Sequence, residues 1–246
     1  MCLLPGNGPV ETSLLRLPMS KGATVSWFGF AAVFVVFLVT HSVPTRPAVK
    51  TRIVRQIGAA GFGISYSVLS LVMLGWLIWA AGQAPYLELW PQMPWHRAVV
   101  QSGMFVVCIL AAISIGRPNP LSFGGARNQE FDPHRPGIVR WTRHPILTVL
   151  VLWAGLHILP NGDLAHVLLF GPLGLFALMG HWLIDRRKKR EIGLERWAKI
   201  CADIKSAPLI AKPLSWASLV LRLTVGTAVY ASLSVAHPYV FGVAAF

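Results

Sequence analysis

Charged residues are scarce in this chain, and acidic residues are the scarcest of them. Charged side chains make up 13% of the 246 residues, about half the roughly 25% of an average soluble domain. Only 9 residues are Asp or Glu, against 22 Lys and Arg. With 54% hydrophobic residues and a mean hydropathy of +0.58, such a chain cannot cover its apolar surface in water. The composition excludes an ordinary soluble domain and predicts an all-α, polytopic membrane protein.

Cysteines are also few, and no motif of a soluble enzyme is present. Cys2, Cys108 and Cys201 fall in a polar tail, an apolar segment and a basic loop, so no disulfide framework is expected. The sequence has no zinc spacing, phosphate-binding loop, dinucleotide motif or nucleophile–base pair. Residues 1–20 lack the apolar core of a signal peptide. Residues 1–22 are predicted to be a disordered tail, and residues 23–246 a single transmembrane domain.

Six apolar segments are long enough to cross the roughly 30 Å hydrocarbon core of a bilayer. They span about 24–43, 58–81, 97–116, 145–159, 164–184 and 216–236. The fourth is at the short limit, and only a few residues separate it from the fifth, so these two are predicted to be antiparallel neighbours. In the turn between them, Asp163 follows Asn161-Gly162 and is predicted to cap the fifth helix.

Lysines and arginines collect in alternate loops, which orients the bundle. The basic loops are 44–57, 117–144 and 185–215, whereas loops 82–96 and 160–163 carry no Lys or Arg. Both termini are therefore predicted to lie outside, with the basic loops against the anionic inner leaflet. The net charge of +13 is thus a consequence of topology, and nucleic-acid binding is not predicted.

Three further features belong to the basic loops and their borders. Arg222 lies near the cytoplasmic end of the sixth segment, where snorkelling to the headgroups is favoured over a buried partner. Residues 186–205 alternate basic and apolar positions, which is typical of an interfacial helix, with docking to a partner as the alternative. The Pro- and Gly-rich loop 117–136 is long enough to be a lid or a docking site.

Eight histidines are many for a chain so poor in charge, and a buried ionisable group in a membrane indicates function. A neutral imidazole can ligate iron without adding charge, and His41 and His157 are the best candidates. For each histidine, the alternative is a hydrogen bond to a neighbouring helix. Tyr66 lies in a polar patch of the second segment and is predicted to contact either a cofactor or another helix.

The histidines differ in their predicted depth in the membrane. His157 lies fourteen residues beyond Arg143, or roughly 20 Å deeper. Three lie near the cytoplasmic face and three near the outer interface: His41, His144 and His181, and His96, His166 and His237, respectively.

The tripeptide Arg143-His144-Pro145 marks the start of the fourth helix, because proline suits a first helical turn. The free N–H groups of a helix N-terminus favour anions. Arg140, Arg143 and His144 are therefore predicted to bind a phosphate, carboxylate or lipid headgroup at the inner surface. The alternative, membrane anchoring, accounts for the arginines but not for His144.

An ordered set of short motifs resembles the NnrU family of bacterial membrane proteins. In chain order they are His41-Ser42-Val43-Pro44, Tyr66-Ser67-x-x-Ser70, Ala84-Pro85 with Leu89-Trp90, Phe123-Gly124 with Ala126-Arg127, Gly137-Ile138-x-x-x-Thr142-Arg143-His144-Pro145, Leu152-Trp153-Ala154-x-x-His157, Asn161-Gly162-Asp163, Leu169-Phe170-Gly171 and His237-Pro238-x-x-x-Gly242. Each motif is weak alone, but their order is specific, and together they cover the chain from about residue 25.

This resemblance implies a multi-pass protein of the bacterial inner membrane, associated with denitrification and with nitrogen-oxide reductase components as partners. The family is also similar to the plant 15-cis-zeta-carotene isomerase, which binds haem b through histidine. That similarity implies haem ligation by His41 and His157, with His41 and His181 as an alternative pair. Ala154 stands where the plant enzyme has a cysteine, so thiolate ligation there is not expected.

Other functions remain open at the level of sequence. One is a membrane enzyme, either a carotenoid or lipid isomerase or a methyltransferase of the isoprenylcysteine type. For the latter, Glu191 and Glu195 follow the Arg143-His144-Pro145 helix start, although they are four residues apart rather than adjacent. The other is a transporter or assembly factor without a cofactor.

Overall fold

The computed structural model describes residues 23–242, in which seven α-helices are joined by turns and two 3₁₀ helices. The α-helices are Trp27–Ser42 (α1), Pro47–Gln83 (α2), Pro94–Ser114 (α3), Pro145–Ile158 (α4), Leu164–Ile192 (α5), Leu194–Ser206 (α6) and Trp216–Phe241 (α7), and the 3₁₀ helices are Asn128–Glu130 and Gly137–Arg140. The tail predicted over residues 1–22 lies outside the described residues.

Four of the helices, α2, α3, α5 and α7, are long and apolar enough to cross a membrane. α1 and α4 are also apolar but have only 16 and 14 residues, or about 24 and 21 Å of helix. The prediction of an all-α membrane bundle is therefore confirmed. The count of six spans and the external termini stay predictions.

Contacts between helices place them in the order α1, α2, α5, α4, α3, α7, with each helix antiparallel to the next. The predicted pairing of the fourth and fifth segments is confirmed, because α4 and α5 form the most extensive contact. We call the end with loops 43–46, 115–144 and 207–215 the basic end. The end with loops 84–93 and 159–163 is the hairpin end.

Apolar side chains fill two separate regions. The larger lies where α1, α2 and α5 meet, and includes the fully buried Leu77 and Leu169. The smaller lies at the basic end, where Leu121 and Val139 of the long loop pack against Ile204 of α6. This second cluster holds the loop against the bundle.

Helix α2 begins earlier than its apolar segment. Pro47 stands in its first turn, where a missing N–H costs nothing, and the helix continues through the predicted loop 44–57. Gly58 interrupts it with a φ of 75°, a conformation that glycine adopts without strain. The predicted loop 44–57 is therefore shorter in the structure, because most of its cationic segment is helical.

The predicted interfacial helix 186–205 is divided in the structure. Residues up to Ile192 continue α5, Gly193 breaks the helix at a φ of 84°, and α6 follows. The apolar face of α6 packs on the loop that carries Leu121 and Val139. Much of the apolar pattern that was predicted to face lipid therefore contacts protein.

Arg222 has a protein partner, which was the alternative to snorkelling. Its Nη1 donates hydrogen bonds to the carbonyl oxygens of Ala112 at 2.7 Å and Ile115 at 2.8 Å. These carbonyls lie at the C-terminal end of α3, where a helix dipole favours a cation. The arginine thus fastens α7 to α3 near the basic end.

Candidate functional site

The turn between α4 and α5 is clamped by the loop that follows α2. The Gly162 carbonyl accepts hydrogen bonds from the backbone N–H groups of Leu89 at 2.7 Å and Trp90 at 3.1 Å. Trp90 Nε1 also donates to the Leu159 carbonyl at 3.1 Å. A Cβ atom at position 162 would collide with the Trp90 carbonyl oxygen. Glycine is therefore required here by close approach of two backbones.

Asp163 caps α5, as predicted. One carboxylate oxygen accepts the backbone N–H of His166 at 3.2 Å, and the other accepts from His166 Nδ1 at 2.7 Å. This double contact fixes the first turn of α5 beneath the clamped turn, and so sets the position of the end of α4.

A cavity of about 350 Å³ opens at the hairpin end between α3, α4 and α7. Its floor is a single stripe of α3 with helical spacing, made of Arg97, Val100, Gln101, Met104 and Cys108. One wall is the end of α4, with His157 and Asn161, and the opposite wall is α7, with Tyr230, Ser234 and His237. The sequence-based interpretation placed His237 in the membrane interface and did not associate it with His157.

His157 is held in a defined orientation on the wall of this cavity. Its Nδ1 lies 2.8 Å from the carbonyl oxygen of Trp153, one turn earlier in α4. A carbonyl only accepts, so Nδ1 carries the proton and Nε2 of the neutral ring carries the lone pair. The ring packs against Trp153 and against Phe170 of α5, with centroids 5.2 and 5.0 Å away. The imidazole is thus suited to ligate a metal through Nε2.

His41 and Tyr66 lie together, at some distance from this cavity. The Tyr66 hydroxyl donates to the His41 carbonyl at 2.9 Å, and the two rings are 5.6 Å apart. Ser70 Oγ lies 3.4 Å from His41 Nδ1. The His41 ring also stacks on Phe37 and contacts Phe176 of α5. The polar patch predicted on α2 therefore surrounds a histidine of α1.

The structure does not bring His41 and His157 together. His157 contacts α5 at Phe170 and His41 contacts it at Phe176. Six residues separate these contacts by about 9 Å along the helix and by about a third of a turn around it. The two imidazoles consequently occupy different sides of α5.

At the basic end, His144 belongs to a closed polar network. Ser122 Oγ donates to His144 Nδ1 at 3.0 Å, and His144 Nε2 donates to Asp185 Oδ1 at 2.9 Å. Arg143 Nη2 pairs with the other oxygen of Asp185 at 2.6 Å. His181, one turn before Asp185, presents its ring edge-on to His144 at 5.2 Å. His144 is only 1% exposed, so both of its ring nitrogens are satisfied inside the protein.

Asp185 is the residue that the sequence analysis missed. In the structure this carboxylate of the chain itself pairs with Arg143 and His144, two of the residues predicted to bind an anion. Arg140 lies apart from the network and donates through Nε to the Ala207 carbonyl at 2.9 Å. A signal was available: Asp185 is one of 9 acidic residues and stands four residues after His181, on the same helix face.

The loop before α4 completes this network through Asn119, which is 3% exposed. Its Nδ2 donates to the Arg143 carbonyl at 2.9 Å, and its Oδ1 accepts the backbone N–H of Leu121 at 3.1 Å. Burial lowers the pKa of the His144 imidazole, and the hydrogen bond to Asp185 opposes this effect only in part. Burial therefore favours the neutral form of the His144 imidazole.

The glutamates of the methyltransferase hypothesis lie on the surface of the basic end. Glu191 pairs with Arg187 at 2.6 Å and with Lys188 at 2.9 Å, both on its own helix, and Glu195 is exposed in the first turn of α6. Among residues 23–242, no group of three or more His, Cys, Asp or Glu side chains is arranged to hold a metal ion.

The fold and these two ends define a helical membrane protein with a closed polar network at one end and a histidine-lined cavity at the other. Residues 29–245 match the model of the NnrU protein family, and the chain belongs to that family. The resemblance recognised in the sequence is thereby confirmed. Comparison with curated proteins and with solved structures gave no match.

Proposed function

We propose that this NnrU-type membrane protein binds haem b and supports the reduction of nitrite and nitric oxide. Its contribution is electron transfer, haem handling or maturation of a reductase. The observation that carries the proposal is His157, whose Nδ1 proton is committed to the Trp153 carbonyl on the wall of a cavity. Fixing one ring nitrogen in this way is how proteins present the other nitrogen to a metal.

The residues present fit a haem group. The cavity of about 350 Å³ lies near the lower bound of the roughly 300–1,000 Å³ of small-molecule sites. Its lining combines apolar and polar side chains, as an amphipathic macrocycle requires. His157 would hold the iron, and Trp153 and Phe170 would fix the imidazole plane by packing. Bound haem supplies one-electron redox chemistry.

Charge and family support the proposed cellular setting. A bacterial inner membrane supplies an anionic inner leaflet for the basic end, which carries most of the cationic residues. The resemblance to NnrU proteins supplies the link to denitrification, with components of nitrogen-oxide reductases as partners.

Absorbance of the detergent-purified full chain, oxidised and reduced, tests haem binding. After haem-replete expression we expect a Soret band that His157→Ala largely abolishes, because the proposed ligand is lost. His134→Ala is the matched control, since this histidine is exposed in the loop before α4 and should leave the band unchanged. A colourless wild-type preparation would contradict the proposal.

A further inference from the structure

The hairpin-end cavity is also lined by a second histidine, His237, and by a cation, Arg97. Their positions suggest how haem would be held there, and this inference rests on the proposed function. We infer that His237 of α7 is the second axial ligand of the haem, opposite His157, and that Arg97 of α3 binds its propionate edge. Neither residue was expected to belong to the site from the sequence.

The first argument is the placement of the two imidazoles on opposite walls. α4 and α7 both pack on α3, and each presents a histidine near its last turn at the hairpin end. His157 and His237 both line the one cavity whose floor is α3. Cofactor sites in helix bundles are built in this way, from side chains on facing helices.

The second argument is the chemical gradient along the floor of the cavity. Arg97 is in the first turn of α3, and Cys108 lies eleven residues further on, about 16 Å along the helix. Between them the lining passes from charged and amide groups near Arg97 to Met104 and Cys108. A flat ligand with one anionic edge and one apolar edge matches this gradient, and haem has both.

The third argument concerns His41, the partner implied by family resemblance. Its ring lies among Phe37, Tyr66 and Phe176, on a different side of α5 from His157. His237 lines the same cavity as His157, whereas His41 does not. Six-coordinate haem with two histidines has no open iron position, which favours electron transfer over binding of a small gaseous ligand.

Electron paramagnetic resonance and absorbance of the purified full chain test the assignment. Wild-type protein should contain low-spin, six-coordinate haem. His237→Gly should keep the Soret band but become high-spin, and added imidazole should restore the low-spin signal by replacing the missing side chain. His41→Ala should stay low-spin. Arg97→Gln should speed haem loss to an acceptor globin about fivefold, as expected for removal of a partly exposed ion pair.

Each outcome separates the inference from the proposed function. Haem that stays low-spin in His237→Gly but becomes high-spin in His41→Ala would overturn the assignment and leave haem binding intact. Absence of haem from the wild-type protein would overturn both. If His237→Gly loses haem entirely, His237→Met decides: retained six-coordinate haem of higher potential supports the assignment, and unchanged spectra refute it.

Discussion

Helix α4 has a histidine at each end, and the two have opposite kinds of surroundings. At the basic end, Ser122 and Asp185 engage both nitrogens of His144 and leave no ring nitrogen for a ligand. At the hairpin end, the backbone of α4 engages Nδ1 of His157, and the ring lines a cavity. Two residues of one type, thirteen positions apart, thus support different roles.

This difference predicts that the stability of the bundle and the binding of a cofactor depend on different residues. Changes in the network around His144 should alter the stability of the bundle without altering a bound cofactor. Changes in the cavity around His157 should alter cofactor binding with little effect on stability. Changes in the clamp that positions the end of α4 should alter both, which makes that clamp the strongest test of the comparison.

Replacement of Gly162 should have the largest effect. In Gly162→Ala the new Cβ collides with the Trp90 carbonyl oxygen, so the clamp must open at a cost of about 3 kcal/mol. Unfolding in mixed detergents measures the loss, and the Soret band should weaken because the end of α4 moves. Gly155→Ala is the control, since its Cβ meets no atom within 4 Å. Equal stability of the two variants would show that the clamp does not hold the turn.

Replacement of Asp185 should have a smaller effect that is confined to stability. Asp185→Asn removes the charge that pairs with Arg143 and leaves one acceptor oxygen where Arg143 and buried His144 now use two, which should cost about 2 kcal/mol. Glu191→Gln is the control, because its ion pairs lie at the surface and contribute about 0.5 kcal/mol. The Soret band expected from the proposed haem should not change in either variant. A spectral change in Asp185→Asn would break the proposed separation of the two ends.

The smallest effect should be a dependence of stability on pH that originates at the basic end. The folded-state pKa of His144 lies below its unfolded value of about 6.5, mainly because the ring is buried. The unfolded chain therefore binds more protons in this range. The contribution of His144 is fully present above about pH 6.5 and is lost as the pH falls through the folded pKa. Unfolding between pH 7.5 and 5 should show this loss, and His144→Gln should reduce it. A steeper loss in His144→Gln would exclude the assigned neutral state.

Much of the fold was predictable because it depends on local composition. Apolar segments, prolines at helix starts and the Asn161-Gly162-Asp163 turn indicated the α4–α5 hairpin and the Asp163 cap, and both were confirmed. The basic segment before Gly58 was predicted to be a loop, but it is helical from Pro47 onward. Its charge pattern indicated only that it lies at the membrane surface, and a surface segment can be helical.

The candidate site was less predictable, because it depends on which helices become neighbours. Asp185 and His144 are 41 residues apart, and their 2.9 Å contact follows from the pairing of α4 with α5. His237 shares a cavity with His157 only because α7 packs against α3. Depth along the membrane normal could be counted from the sequence, but the side of each helix could not.

The sequence by itself determined a family and an all-helical membrane bundle, and it indicated the histidines as candidates for chemistry. Composition and short-range spacing are properties of one segment, so they can be interpreted without knowing which segments become its neighbours. The tertiary structure decided which histidines share a site, because lateral helix packing is not encoded by the period of any one helix. It placed His144 against Asp185 in a closed network, and His157 beside His237 in an open cavity.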